Sequence, residues 1–269
     1  MSPTAIPGNL LLKNGMVITG EQKNNWTPAE IDTALWLDAA DISTITQSGG
    51  SVSQWNDKSG NGRNAVQLSA TNQPLYDATA FNSNPTLVFD GSDYMETPSF
   101  ASSSNYTIVA VVTLLVATSY PMIYTFKSAA GSVDLRGVDS TGKPSLANIS
   151  NNDGPGVQTP PATPVTTTDN MVNTTNIIIG KITNGIGTLR QNGSLRATKS
   201  VIFTSPTSAR QVGARSNSFY WNGRISEIIE LGNVSVSDEE RIEGYLAHKW
   251  GLTANLPSDH PYKLVGPTP

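Results

Sequence analysis

The sequence contains no cysteine, which excludes a disulfide framework and any thiolate-held metal and leaves the redox compartment open. Charge is scarce as well. Only 14% of the residues are Asp, Glu, Lys or Arg, the net charge is −4, and no cluster of Lys and Arg interrupts the chain. Nothing is therefore available to neutralise a run of phosphates, and nucleic acid is not an expected partner. No apolar run approaches the roughly 20 residues that a bilayer-crossing helix needs, so membrane insertion is not expected either. The two histidines, His248 and His260, have no second imidazole at ligand spacing and are expected on the surface. A G-x-S-x-G nucleophile turn is missing. The opening residues lack a basic segment ahead of an apolar one and a small-residue cleavage site. Export by a signal peptide is thus not expected, and release by host lysis is.

What the chain does contain is β-forming sequence. From Ala34 onward, short apolar runs such as "ALWLDA", "TLVFDG", "YTIVAVVTLLV", "PMIYTF", "NIIIGKI" and "RISEIIEL" alternate with Gly, Pro and Asn. Runs of this length, rich in Val, Ile, Thr and aromatics, are strand signals. Many of them without intervening helical periodicity predict an all-β sandwich or barrel, and 269 residues suit one such domain. In "RQNGSL", Asn192-Gly193 can adopt the two positive φ angles of a tight hairpin turn. Residues 1–33 carry three prolines and read as an extended N-terminal arm. Residues 34–263 form the main domain, 264–269 a tail, and the proline-rich stretch 151–170 a surface loop.

One helix is predicted near the end, in "VSVSDEERIEGYLAHKWGL". Ser237 and Glu240 have the spacing of a capping box, Ile242, Tyr245, Leu246 and Trp250 recur at helical spacing, and Gly251 is placed to end it. The expected product is an amphipathic helix laid on a β core.

In order, "LWLDAADIST", "VSQWNDKSGNGRNA", "PTLVFDGSDYMET", "RQNGSL", "YWNGRISEIIEL", "VSDEERIEGYLAHKWGL" and "LPSDHPYK" resemble the laminin-G-like, or concanavalin-A-like, jelly-roll domains of bacterial surface proteins and tailed-phage virion proteins. The resemblance spans residues 34–263 and is weakest between about 115 and 175. It implies two antiparallel sheets packed face to face, in a setting of glycan binding, adhesion or virion assembly.

Two groups of residues have the composition of a site. Asp57, Asn61 and Asn64 in "WNDKSGNGRNA" could supply oxygens to Ca²⁺, although the spacing is not that of an EF-hand. Gly60 and Gly62 flank Asn61 as in a chain reversal stitched by Asx side chains, and this turn reading is preferred. Tyr220, Trp221 and Asn222 in "SNSFYWNGR" are the candidate glycan-binding residues, because aromatic faces can stack on sugar C–H surfaces while polar neighbours hydrogen-bond. Trp36, Trp55 and Trp250 read as core.

Glycoside cleavage needs two carboxylates about 5 to 9.5 Å apart. Glu227 and Glu230 are three residues apart and point to opposite faces of a regular strand, so the pattern of alternating acids found in β-sandwich glucanases is absent. Glu227 would share a face with Ile225, Ile229 and Leu231; a buried structural carboxylate and a solvated one both remain open. The leading expectation is a non-enzymatic phage virion structural protein, a head decoration, head fibre or tail-attached part. It would dock other virion proteins through its N-terminal arm, present its jelly-roll to host-surface glycans, and assemble as a homo-oligomer, by analogy a trimer. The alternative is a bacterial carbohydrate-binding module or adhesin. A glycan hydrolase ranks third, and no cofactor beyond the candidate Ca²⁺ is expected.

Overall fold

A computed structural model describes residues 11–13, 16–18, 26–118, 120–127, 133–138, 142–148, 170–200 and 207–269. The fold is an antiparallel β-sandwich with one helix near its end. No helix among the described residues is long and apolar enough to cross a membrane. One layer is built on the strand Asn222–Leu231, which pairs along one edge with Tyr106–Leu114 and along the other with Thr33–Asp38 and Asn84–Asp90. Thr175–Thr183, Ile186–Gln191 and Ser194–Ser200 extend it. The facing layer runs through Lys143–Asn148, Val133–Val138, Met122–Phe126, Arg210–Val212, Met95–Glu96, Ala65–Val66 and Ser51–Trp55.

The first layer is covered on both sides, and its sequence reports this. All nine residues of Tyr106–Leu114 are buried, so the strand reads as an unbroken apolar run. Ile108, Ala110 and Val112 face the inter-sheet core with Trp55, Phe89, Tyr124 and Val212. Val109 and Val111 face a second core against the helix Val236–Trp250, with Trp26, Trp36, Ile242, Leu246 and Trp250. The Asn192-Gly193 turn has the expected positive φ angles, 51° and 81°, and joins Ile186–Gln191 to Ser194–Ser200.

The helix ends where Gly251 enters the left-handed region at φ 69°, but it starts earlier than expected. Ser235, not Ser237, is the cap: its hydroxyl accepts from Asp238 N at 3.1 Å, and Asp238 reaches back to Ser235 N. Two overlapping boxes exist in the sequence. Inside the helix, Glu239 and Glu243 lie over the sheet, where they meet Lys181 and the Arg190 guanidinium.

Most of the expected arm, and residues 151–169 of the expected loop, lie outside the described residues. Leu11–Lys13 pairs antiparallel with Met16–Ile18, and from Trp26 onward the chain belongs to the body. Trp26 is buried in the helix-side core, and its peptide N–H donates to Pro267 O at 3.2 Å.

Candidate functional site

A groove of about 570 Å³ opens on the outer face of the second layer. Its floor follows from strand register. Gln54 lies opposite Val66 and Val66 opposite Glu96, so three side chains stand in one row across three strands, and the buried Gln211 continues the register beyond the groove. The residues beside them in sequence, Trp55, Ala65, Met95 and Val212, point into the core, as strand alternation requires. Asn64, Gln67, Leu68 and Tyr94 supply the walls.

The amides of this groove are only partly used. Gln54 Nε2 donates to Asn56 Oδ1 at 2.6 Å, and Asn64 Oδ1 accepts from Asp57 N at 3.0 Å. The Gln54 carbonyl and the Asn64 amide nitrogen take no partner among the described residues. Gln67, by contrast, is engaged at both ends, by Tyr94 O and Ser69 N. Glu96 receives Lys127 at 2.8 Å and Gln211 at 3.2 Å. No lysine or arginine among the described residues lines the groove. Leu68 is 88% exposed on its wall.

Tyr94 connects the groove to the residues singled out in the sequence. Its ring packs at 6.4 Å from that of Tyr220, whose hydroxyl donates to Asn217 O. Asn222 donates to Asp90 O at 2.8 Å. Trp221 is different: it is 0% exposed and sits in the inter-sheet core. The expectation that it stacks on a ligand is corrected, because the chain entering the strand at Asn222, held by the bond from Trp221 N to Gly213 O, turns the indole into the core it shares with Ile225.

The same corner holds an acidic pair. Asp93 accepts from Asp90 N at 2.8 Å. Burial, helped by the neighbouring Asp90 charge, pushes Asp93 up to about 7. Burial also pushes Asp90 upward, but hydrogen bonds from Ser92 and Asp93 outweigh it and hold that carboxyl below its ordinary value.

The loop 57–64 is held by its own side chains. Asp57 Oδ1 accepts from Trp36 N and Ser59 N, while Oδ2 accepts from Ser59 Oγ and Arg63 N, all between 2.8 and 3.0 Å. Asn61 donates to Thr33 O and Ala34 O. The structure thus brings Asp57, Asn61 and Asn64 together in one turn, and only Asn64 lines the groove. Among the described residues no cluster of three His, Asp or Glu side chains could hold a metal.

The buried acids of Asn222–Leu231 are structural. Glu227 accepts from Trp36 Nε1, Trp250 Nε1 and Lys249 Nζ, each at 2.7 Å. Burial pushes its carboxyl up and Lys249 opposes that. It shares its face with Ile229 and Leu231 but not with Ile225. Ser226 forms a bulge opposite Val111 and Val112 that turns Ile225 to the inter-sheet core. Glu230 lies on that other face, held bidentately by Arg210 at 2.8 and 3.0 Å and by the Tyr124 hydroxyl. Arg210 is sandwiched between the Phe100 and Phe126 rings. His260 is also corrected. It is 7% exposed, with Nε2 3.2 Å from Glu243 Oε2, because the last loop folds back onto the helix.

No protein-family model matches the chain, and no curated protein matches it. Solved structures do share the fold. Domain 4 of a GH43 extracellular arabinanase from Geobacillus stearothermophilus, in complex with arabinotriose, is 16% identical with a TM-score of 0.53, over 68% of this chain and 89% of that one. Trypanosoma rangeli sialidase is 12% identical with a TM-score of 0.52, over 81% of this chain and 33% of that one. An arabinofuranosidase complexed with arabinofuranosyl-α-1,2-xylobiose is 11% identical with a TM-score of 0.50, over 72% and 50%. This chain therefore spans a third to a half of the latter two. These neighbours overturn the expectations of a phage structural protein and of a protein outside enzymology, since each is a glycan-processing enzyme or a domain of one.

Proposed function

We propose that this chain is a glycan-recognising domain of the kind that serves glycan-processing enzymes, with the groove over Val66 as its binding site. The observation that carries this reading is the row Gln54, Val66 and Glu96 walled by Tyr94. It offers unpaired amide groups for sugar hydroxyls beside an aromatic ring and an exposed leucine, the combination of a mostly preformed pocket with a few placed polar groups. The sandwich shared with an arabinotriose-bound domain and the laminin-G-like resemblance support it. Calorimetric titration with arabinotriose, xylotriose and lactose tests it. Saturable binding weakened about tenfold by Tyr94→Ala is expected. No saturable binding to any oligosaccharide would remove the reading.

A further inference from the structure

We infer that the groove selects neutral oligosaccharides and discriminates against sialylated or uronic ones. This rests on the proposed glycan-binding function and names the substrate class of the same site. The argument is electrostatic. The one carboxylate in the lining is Glu96, and no cation lines the groove among the described residues. The nearest basic group tied to it, Lys127, already sits 2.8 Å from Glu96. Arg63, which follows Gly62 of the wall, is also committed: its guanidinium donates to Ala34 O at 2.6 Å and lies over the Phe100 ring at 4.0 Å. A sugar carboxylate entering here would lose water without gaining a free cation, and Lys127 would have to leave Glu96 to meet it, both unfavourable.

Hydroxyls meet a different environment. The Gln54 carbonyl accepts, the Asn64 amide nitrogen donates, and the Tyr94 ring, steadied by Tyr220, can take a sugar C–H face. None of these contacts depends on ligand charge, so a neutral sugar keeps all of them.

Two single-atom changes test this. Asn64→Asp keeps the oxygen that accepts from Asp57 N, and so the turn, but replaces a free donor by a carboxylate oxygen. Glu96→Gln removes the groove charge and releases Lys127. Full-length protein would be titrated with matched sugars, lactose against 3′-sialyllactose and xylotriose against its glucuronic-acid-substituted form, with thermal melts to verify folding. We expect the neutral member of each pair to bind at least about tenfold tighter. Asn64→Asp should weaken neutral binding about tenfold, and Glu96→Gln should narrow the neutral-to-acidic ratio several-fold. Preference for the acidic sugars, or equal binding of the two members, overturns neutral selectivity, and a ratio that Glu96→Gln leaves unchanged overturns its electrostatic origin at Glu96; both leave glycan recognition standing. A complete lack of binding to both members of every pair overturns glycan recognition itself.

Discussion

Trp36 donates its indole N–H to Glu227 at 2.7 Å across 191 residues of chain. The other oxygen of that carboxylate receives Trp250 and Lys249, so a single buried acid joins an early strand, the central strand and the helix. Glu227→Gln keeps the shape but turns an N–H towards a set of donors. Leaving a buried ion pair half broken costs about 3 kcal/mol, and urea unfolding should show a loss of that order with groove binding unchanged. A loss below about 1 kcal/mol would mean that water replaces the carboxylate there.

Calcium is expected to leave the melting temperature unchanged relative to EDTA. Both Asp57 oxygens already accept two protein donors each, and a cation would have to displace them. Asp57→Ala, by orphaning three backbone N–H groups, should cost about 2 kcal/mol or more. A calcium-dependent rise in melting temperature that disappears in Asp57→Ala would restore the loop as a metal site.

Trp221 and Tyr94 should separate stability from binding. Trp221→Ala empties a core position and is expected to cost about 4 kcal/mol in chemical denaturation. Tyr94→Ala should leave most of the stability and remove most of the sugar affinity. Intact affinity in a correctly folded Tyr94→Ala protein would move the site away from this groove.

Stability should also fall as pH rises through the weakly acidic range, in part because of Asp93. Its carboxyl titrates at about 7 in the folded protein against an ordinary value of 3.8. Between these values the folded state holds a proton that the unfolded chain has released. The Asp93 contribution is therefore complete below about 3.8 and lost as pH climbs to 7. Asp93→Asn still accepts from Asp90 N and cannot ionise, so at pH 8 it should be more stable than the parent by about 1 kcal/mol or more. Parallel pH profiles for the two proteins in thermal melts would refute this.

Much of the architecture was legible because it is written in local sequence. Asn192-Gly193 and Gly251 announce their turns through the positive φ values that few other residues accept, and the run from Tyr106 to Leu114 announces a strand buried on both faces. The helix was legible in type but not in start, since Ser235 and Ser237 offer overlapping caps that local sequence does not separate. Ile225 was assigned to the wrong face because one extra residue, Ser226, reverses strand alternation. The bulge depends on a partner strand more than a hundred residues away.

The site was less legible. Tyr220 and Asn222 were chosen for their chemistry; neither lines the groove, and Tyr220 reaches it only through its ring contact with Tyr94. Gln54, Val66 and Glu96 carry no signal of their own, as their alignment exists only in the register of three strands. Asp90 and Asp93 in "DGSDY" read as turn residues, and only burial of Asp93 distinguishes them. The indole of Trp221 and the imidazole of His260 were judged from polar neighbours in sequence, whereas their neighbours in space are apolar or acidic side chains from elsewhere.

The backbone bond between Trp26 and Pro267 sets how the body would respond to mechanical load. Both ends of the body meet at this clasp, so tension from flanking chain enters at one point instead of shearing the sheets along their length. The Trp26 ring, buried beside the helix and packed on Tyr245, backs this bond, so the clasp opens only when that side chain leaves the core.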